Sequence, residues 1–261
     1  MSYNLLACDL DDTLIDDFGI ISDKNREAID KLENVGKKFM LVTGRAYKSV
    51  LPFYKSLGLK TPVITLGGAQ VFDKDGALIY KSLLPTDTAK ALLRHAAKRN
   101  MHAQVYIGDN IQYLKECEEA KYYTDYTKLK GIENKNLLEE DFETSKVVFI
   151  TDENKVPEEM EIIKEEFPEL SILRSKGRLI EAFTRKVSKG NALKETIKLM
   201  GYHQDEVIAV GDSTIDLSML EFAALSAAPL NSLTEVKAAA DVILKSNNES
   251  CISELIERYM L

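Results

Sequence analysis

Short apolar runs that each stop at a polar residue constrain this chain more than any other feature. Residues 5–8 (LLAC), 39–42 (FMLV) and 207–210 (VIAV) end at Asp9, at Thr43 and at Gly211-Asp212. Runs of that length are too short for helices and suit strands buried on both faces. Helical patterns lie between them. One is capped by Ser22, carries Ala28, Ile29, Leu32 and Val35 on one face and closes at Gly36. Strand–helix alternation of this kind builds a doubly wound α/β domain around a parallel sheet.

The alternation continues through a strand at 62–65 and a hairpin at 70–80 that turns at Lys74-Asp75-Gly76, then breaks after Leu84-Pro85. Residues 86–100 read as an amphipathic helix, 101–116 as a hairpin and 116–130 as a charged, tyrosine-containing helical stretch. Strands at 146–151, 170–175 and 178–184 and a helix at 157–166 complete an α+β block. Alternation then resumes with helices at 190–200, 214–221, 232–240 and 249–260 around strands at 206–210, 223–228 and 241–244. The expected organisation is a discontinuous α/β core, residues 1–84 and 187–261, interrupted by an α+β block, residues 85–186.

Charge narrows the partners. Lys and Arg number 34 against 42 Asp and Glu, a net charge of −8, which repels nucleic acid but leaves a small phosphorylated molecule possible. Cys8, Cys117 and Cys251 show neither zinc spacing nor a disulfide framework, and the expected compartment is the cytoplasm. The first residues lack the basic region of a signal peptide, and no apolar run is long enough to span a membrane.

Ligands of an open parallel sheet gather beyond the carboxyl ends of its strands, where Asp9, Thr43 and Asp212 stand. Asp9, Asp11 and Asp12 concentrate like charge there, so the loop is either solvated or built around a cation. Oxygen donors without a His or Cys cluster suit Mg²⁺ or Ca²⁺. A calcium loop starting at Asp9 would put Leu14 at its glycine position and Ile20 at its bidentate glutamate position, so Mg²⁺ fits better. Lys189 opens a helix and can neutralise a phosphate, Thr43 offers a hydroxyl, and Gly44 lets a backbone N–H come close. There is no P-loop. The set suits phosphoryl transfer, in which positioning and charge neutralisation supply most of the catalysis. Arg45 reads equally as a substrate contact or an ion-pair partner. Asp16 and Asp17 read as solvated charges, and His95, His102 and His203 as packing or surface residues. Tyr122, Tyr123 and Tyr126 read as helix packing or the lining of a cleft.

In order and context, Asp9-Leu10-Asp11-Asp12-Thr13-Leu14, Thr43-Gly44-Arg45, Lys189-Gly190 and Gly211-Asp212-Ser213-Thr214-Ile215-Asp216 resemble the motifs of the haloacid dehalogenase-like (HAD) superfamily phosphatases. The inserted block resembles the type IIB cap of the Cof-like subgroup. The resemblance implies a Mg²⁺-dependent phosphatase acting on a small phosphorylated metabolite, a sugar phosphate or phosphorylated cofactor. In that reading Asp9 is the nucleophile and forms an aspartyl-phosphate, and Asp11 serves as acid and then base. Thr43 and Lys189 grip the phosphoryl group, with Gly44, Arg45 and Asn231 on the substrate side. Asp9, the Asp11 main-chain carbonyl and Asp212 hold the metal, with Asp216 beside them, and Asp12 caps the turn. The cap closes over the core and selects the leaving group. A phosphotransferase or mutase on the same scaffold, and a non-catalytic binder of a phosphorylated ligand, are the alternatives. The pattern departs from the family at Gly67 and Ile215, where Asn is usual, at Asn231 within PLNS, and at Cys251, where Gly is frequent.

Overall fold

The computed structural model describes residues 3–261. The chain begins with β1 (Leu5–Cys8), α1 (Asp23–Asn34), β2 (Lys38–Leu41), α2 (Tyr47–Ser56), β3 (Val63–Thr65), β4 (Gln70–Phe72) and β5 (Leu78–Lys81). Next come α3 (Thr86–Lys98), β6 (His102–Ile107), β7 (Asn110–Tyr113), α4 (Glu118–Thr127), β8 (Gly131–Glu133), β9 (Val147–Ile150), α5 (Val156–Glu166), β10 (Leu170–Lys176) and β11 (Leu179–Thr184). The last part is α6 (Lys189–Leu199), β12 (Val207–Val210), α7 (Leu217–Phe222), β13 (Leu225–Ala228), α8 (Thr234–Ala239), β14 (Val242–Ile243) and α9 (Cys251–Tyr259).

A parallel sheet in the order β14-β13-β12-β1-β2 forms the core. Every residue of β1 is buried because helices cover both sheet faces. Its side chains alternate between two layers. Leu6 and Cys8 cluster with Ala28, Ile29 and Leu32 of α1 and with Ile252, Leu255 and Ile256 of α9. Leu5 and Ala7 cluster with Leu193 and Ile197 of α6 and with Met219 and Leu220 of α7. The register pairs Cys8 with both Val210 and Leu41, so the central strands end at the same height.

The inserted residues build a second sheet, β10-β11-β9-β6-β7-β8. Strand alternation again decides which side chains go where. Ile180 and Ala182 of β11 join Val147 and Phe149 of β9 under α3 and α5. Leu179 and Phe183 face the other way and meet Tyr106, Val148, Tyr123 and the core residues Leu66, Ala69 and Ile215. The second cluster is the seam between cap and core. Ser49 Oγ donates to Thr127 O (2.7 Å) and Thr214 Oγ1 to Arg174 O (2.8 Å) across it.

Several expected elements are shorter than their sequence patterns. The 116–130 stretch is helical only to Thr127; Lys128 turns left-handed at φ 58° and residues 131–133 become a strand parallel to β7. The 214–221 helix opens with a tight turn at Thr214–Asp216, and the 249–260 helix starts only after Ser250, at φ 61°. The 70–80 hairpin turns through Asp73, whose Oδ1 accepts from the N–H groups of Asp75 and Ala77. Among the described residues no helix is long and apolar enough to cross a membrane.

Candidate active site

The aligned strand ends assemble the floor of the site. The Asp9 N–H donates to Val210 O (3.0 Å), and the Val42 N–H to Cys8 O (2.9 Å). Helix α6 starts beside them, capped by Ser188, whose Oγ accepts from the Asn191 N–H. Gly190 lets this helix approach α7: a Cβ there would stand 2.1 Å from Ser218 O. The close approach buries Lys189, and its Nζ donates to Asp9 Oδ1 and to Asp216 Oδ1, both at 2.5 Å.

Asp9, Asp212 and Asp216 each place a carboxylate oxygen within 4.8 Å of the others. They are not equivalent. Asp216 is fully committed: Lys189 takes Oδ1, while Oδ2 accepts from the N–H groups of Asp212 and Ser213 and from the Ser213 hydroxyl. Asp212 Oδ1 accepts from the Thr13 hydroxyl (2.9 Å). No hydrogen bond within the described residues reaches Asp9 Oδ2 or Asp212 Oδ2. Burial pushes the Asp9 carboxyl up to about 7 against the pull of Lys189, with Asp216 and Asp11 adding to the rise. Burial, and then the charge of Asp9, lifts Asp212 well above the usual carboxylate range. A buried and a half-buried carboxylate that repel each other, each with an oxygen to spare, fit a hard divalent cation.

The other expected residues divide. Asp11 lines the cavity, and Arg45 grips its carboxylate with two bonds, Nε at 2.9 Å and Nη2 at 2.7 Å. The guanidinium also lies 5.2 Å from the Phe53 ring and 5.4 Å from that of Tyr126. Thr43 is buried, its Oγ1 accepting from the Arg45 N–H (3.1 Å), while Gly44 and Arg45 line the cavity. Asn231 acts as a brace: its Nδ2 donates to Asp12 O (2.8 Å) and its Oδ1 accepts from the Asn247 N–H (2.9 Å). Asp12 is held there at φ 56°. Asp17 pairs with the Asn248 amide away from the cluster. His95 packs in the cap with Nδ1 on Glu166, and His102 meets Gln104 and Cys117.

Departures from the family pattern have spatial partners. A Cβ on Gly67, which sits at φ 67°, would stand 3.0 Å from Ile215 Cδ1 and 3.1 Å from Phe183 Cζ, so the two departures touch. The buried Cys251 thiol donates to Thr13 O under the loop that follows β1.

The cap supplies a roof that the motifs did not disclose. Tyr106, Tyr123, Tyr126, Thr127, Ser175 and Glu181 face the floor. Tyr106 and Tyr123 share a hydroxyl hydrogen bond of 2.7 Å, and burial raises both phenols. The sequence signal for Glu181 is a lone carboxylate at an alternate position of the apolar strand LIEAFT.

Comparison with known proteins decides the family. A family model described as haloacid dehalogenase-like hydrolase matches residues 6–256. The chain belongs to the haloacid dehalogenase-like hydrolases. Among relatives of this HAD hydrolase, a 5-amino-6-(5-phospho-D-ribitylamino)uracil phosphatase of Bacillus subtilis is 30% identical, covering 100% of this chain and 97% of the relative. The crystal structure of a Thermotoga maritima protein superposes with a TM-score of 0.84 at 31% identity, over 98% of this chain and 97% of that one. A HAD subclass IIB sugar phosphatase, 24% identical, shares the fold at a TM-score of 0.86 over 98% of both chains. The parallel core and inserted cap of this HAD hydrolase therefore share the fold of that subclass IIB protein.

Proposed function

We propose that this HAD hydrolase is a Mg²⁺-dependent phosphatase that hydrolyses a small phosphorylated metabolite through an aspartyl-phosphate. The observation that carries the reading is Lys189 bridging Asp9 and Asp216 beside Asp212, at the mouth of the parallel sheet. Lys189 orients the Asp9 carboxylate through Oδ1, so that one of its oxygens is set to attack phosphorus while the other would face the metal. Asp9 and Asp212 would hold Mg²⁺, with Asp216 fixing Lys189 and the Asp212 backbone. When bound, the metal supplies positive charge that offsets the carboxylates and the phosphoryl oxygens. The Thr43 N–H is held by Ile64 O and the Arg45 N–H by Thr43 Oγ1, so Gly44 offers its N–H, and Thr43 its hydroxyl, to the phosphoryl group. Asp11 donates a proton to the leaving oxygen and takes one from the attacking water. It does so after exchanging its Arg45 partner for substrate.

Residues 85–186 act as the cap and residues 1–84 and 187–261 as the catalytic core. The closed arrangement leaves about 50 Å³ of free space over the floor, room for a few waters. A phosphate ester therefore enters when the cap moves off the core. A phosphorylated ribitylamino compound, named for the Bacillus subtilis relative, and sugar phosphates are the first candidates. The test is phosphate release from an aryl phosphate and from a panel of metabolite phosphates, with Mg²⁺ and with chelator. Release that needs Mg²⁺ is expected; silence across the panel would sink the reading.

A further inference from the structure

We propose that Glu181 determines specificity and selects a leaving group that is neutral or cationic, offers hydroxyl or amine donors, and carries no second anion. The inference rests on the phosphatase reading above and narrows its substrate class.

Glu181 is 3% exposed, on the face of β11 turned to the core, and lines the cavity. Lys146 pins it: Nζ, with no exposed surface, donates to Glu181 Oε2 at 2.7 Å and to Gly44 O at 3.1 Å. The rings of Tyr106 and Phe183 flank that ammonium at 5.2 and 5.6 Å. The same lysine thus fixes the cap carboxylate and ties it to the core loop of Thr43 and Arg45. No hydrogen bond within the described residues reaches Glu181 Oε1. An ionised carboxylate only accepts, so its natural partner in the cavity is an O–H or N–H of the bound molecule. Ser175 Oγ, buried and without a partner, adds a second polar group to the same roof. The tyrosines supply flat faces against which a ring or carbon chain can lie.

Charge sets the exclusion. The cations lining the cavity among the described residues are Arg45, tied to Asp11, and Lys189, tied to Asp9 and Asp216. Both come from the floor, where one phosphoryl group would use them. A second phosphate or a carboxylate at the roof would meet Glu181 without a counter-charge and out of water.

The test compares a pentitol phosphate with the pentonate phosphate of equal chain length, which differs by one carboxylate. Wild-type kcat/KM should favour the neutral ester by about tenfold or more. Glu181→Gln should shrink that preference to within about threefold, mainly through KM. If this variant fails to fold because Lys146 is left buried and alone, the double variant Glu181→Gln/Lys146→Met removes both charges and is read the same way. Calorimetric binding of the same two esters to the wild type reads the preference independently of turnover. Equal use or binding of the two esters, or a preference that neither variant moves, overturns the inference while leaving the phosphatase reading intact. The absence of both turnover and binding of every phosphate ester overturns the phosphatase reading itself, and the inference with it.

Discussion

The floor and the roof of the cavity are built on different principles. On the floor nearly every charge is answered by another: Lys189 by Asp9 and Asp216, Asp11 by Arg45, and Asp212 Oδ1 by the Thr13 hydroxyl. Parallel strands in register place those groups, and little about them depends on what is attached to the phosphate. The roof is phenolic, with Glu181 as its charged group, and comes from a separate sheet that meets the core along an apolar seam. On the proposed function the contrast amounts to a division of labour, in which the floor would handle the phosphoryl group and the roof would choose the rest of the molecule. Floor substitutions should therefore lower kcat, and roof substitutions should change KM and selectivity.

The largest effect is expected at Asp9. Asp9→Asn should lower kcat by about 10⁴-fold with an unchanged circular dichroism spectrum. A variant keeping more than a few per cent of activity would remove Asp9 as nucleophile. Lys189→Met comes next. It should cost about 10²–10³-fold in kcat and, because it leaves Asp9 and Asp216 buried without their cation, roughly 3–5 kcal/mol of stability. Urea unfolding alongside kinetics checks both; a stable, active variant would show that the lysine is incidental.

The third effect is on metal affinity. Burial holds the metal-free Asp9 carboxyl near 7, so below that pH binding of Mg²⁺ must displace a proton. Apparent affinity should rise by about tenfold or more per pH unit below roughly pH 7. Titration calorimetry at several pH values measures this, and a pH-independent affinity would show that Asp9 is not a ligand. The smallest effect is on the roof. Tyr123→Phe removes the 2.7 Å bond to Tyr106, at a cost of about 1 kcal/mol. It should raise KM severalfold with kcat nearly unchanged. A fall in kcat alone would erase the division between floor and roof.

Much of the floor was legible because each of its groups stands where a buried strand ends or a helix begins. Asp9, Thr43 and Asp212 follow β1, β2 and β12, and Lys189 opens α6. What those groups touch was not legible. Arg45 finds Asp11, and Asn231 braces Asp12, through contacts between segments far apart in sequence. The roof was harder still. Glu181 and Lys146 look like ordinary charged residues until strand alternation turns both toward the seam, and the docking of cap on core decides that they meet Gly44. Strand β8, three residues long in a charged stretch, has no period to detect. The contact of Ile215 with Gly67 likewise has no signature in either segment read alone.

The most direct test of the central claim is to find the phosphoryl group during turnover. Wild-type protein mixed with Mg²⁺ and a hydrolysed ester, quenched in acid, digested and examined by mass spectrometry should carry phosphoryl on the peptide containing Asp9, and Asp9→Asn should carry none. Phosphoryl on another residue, or rapid hydrolysis with no phosphorylated peptide at any quench time, would contradict the account.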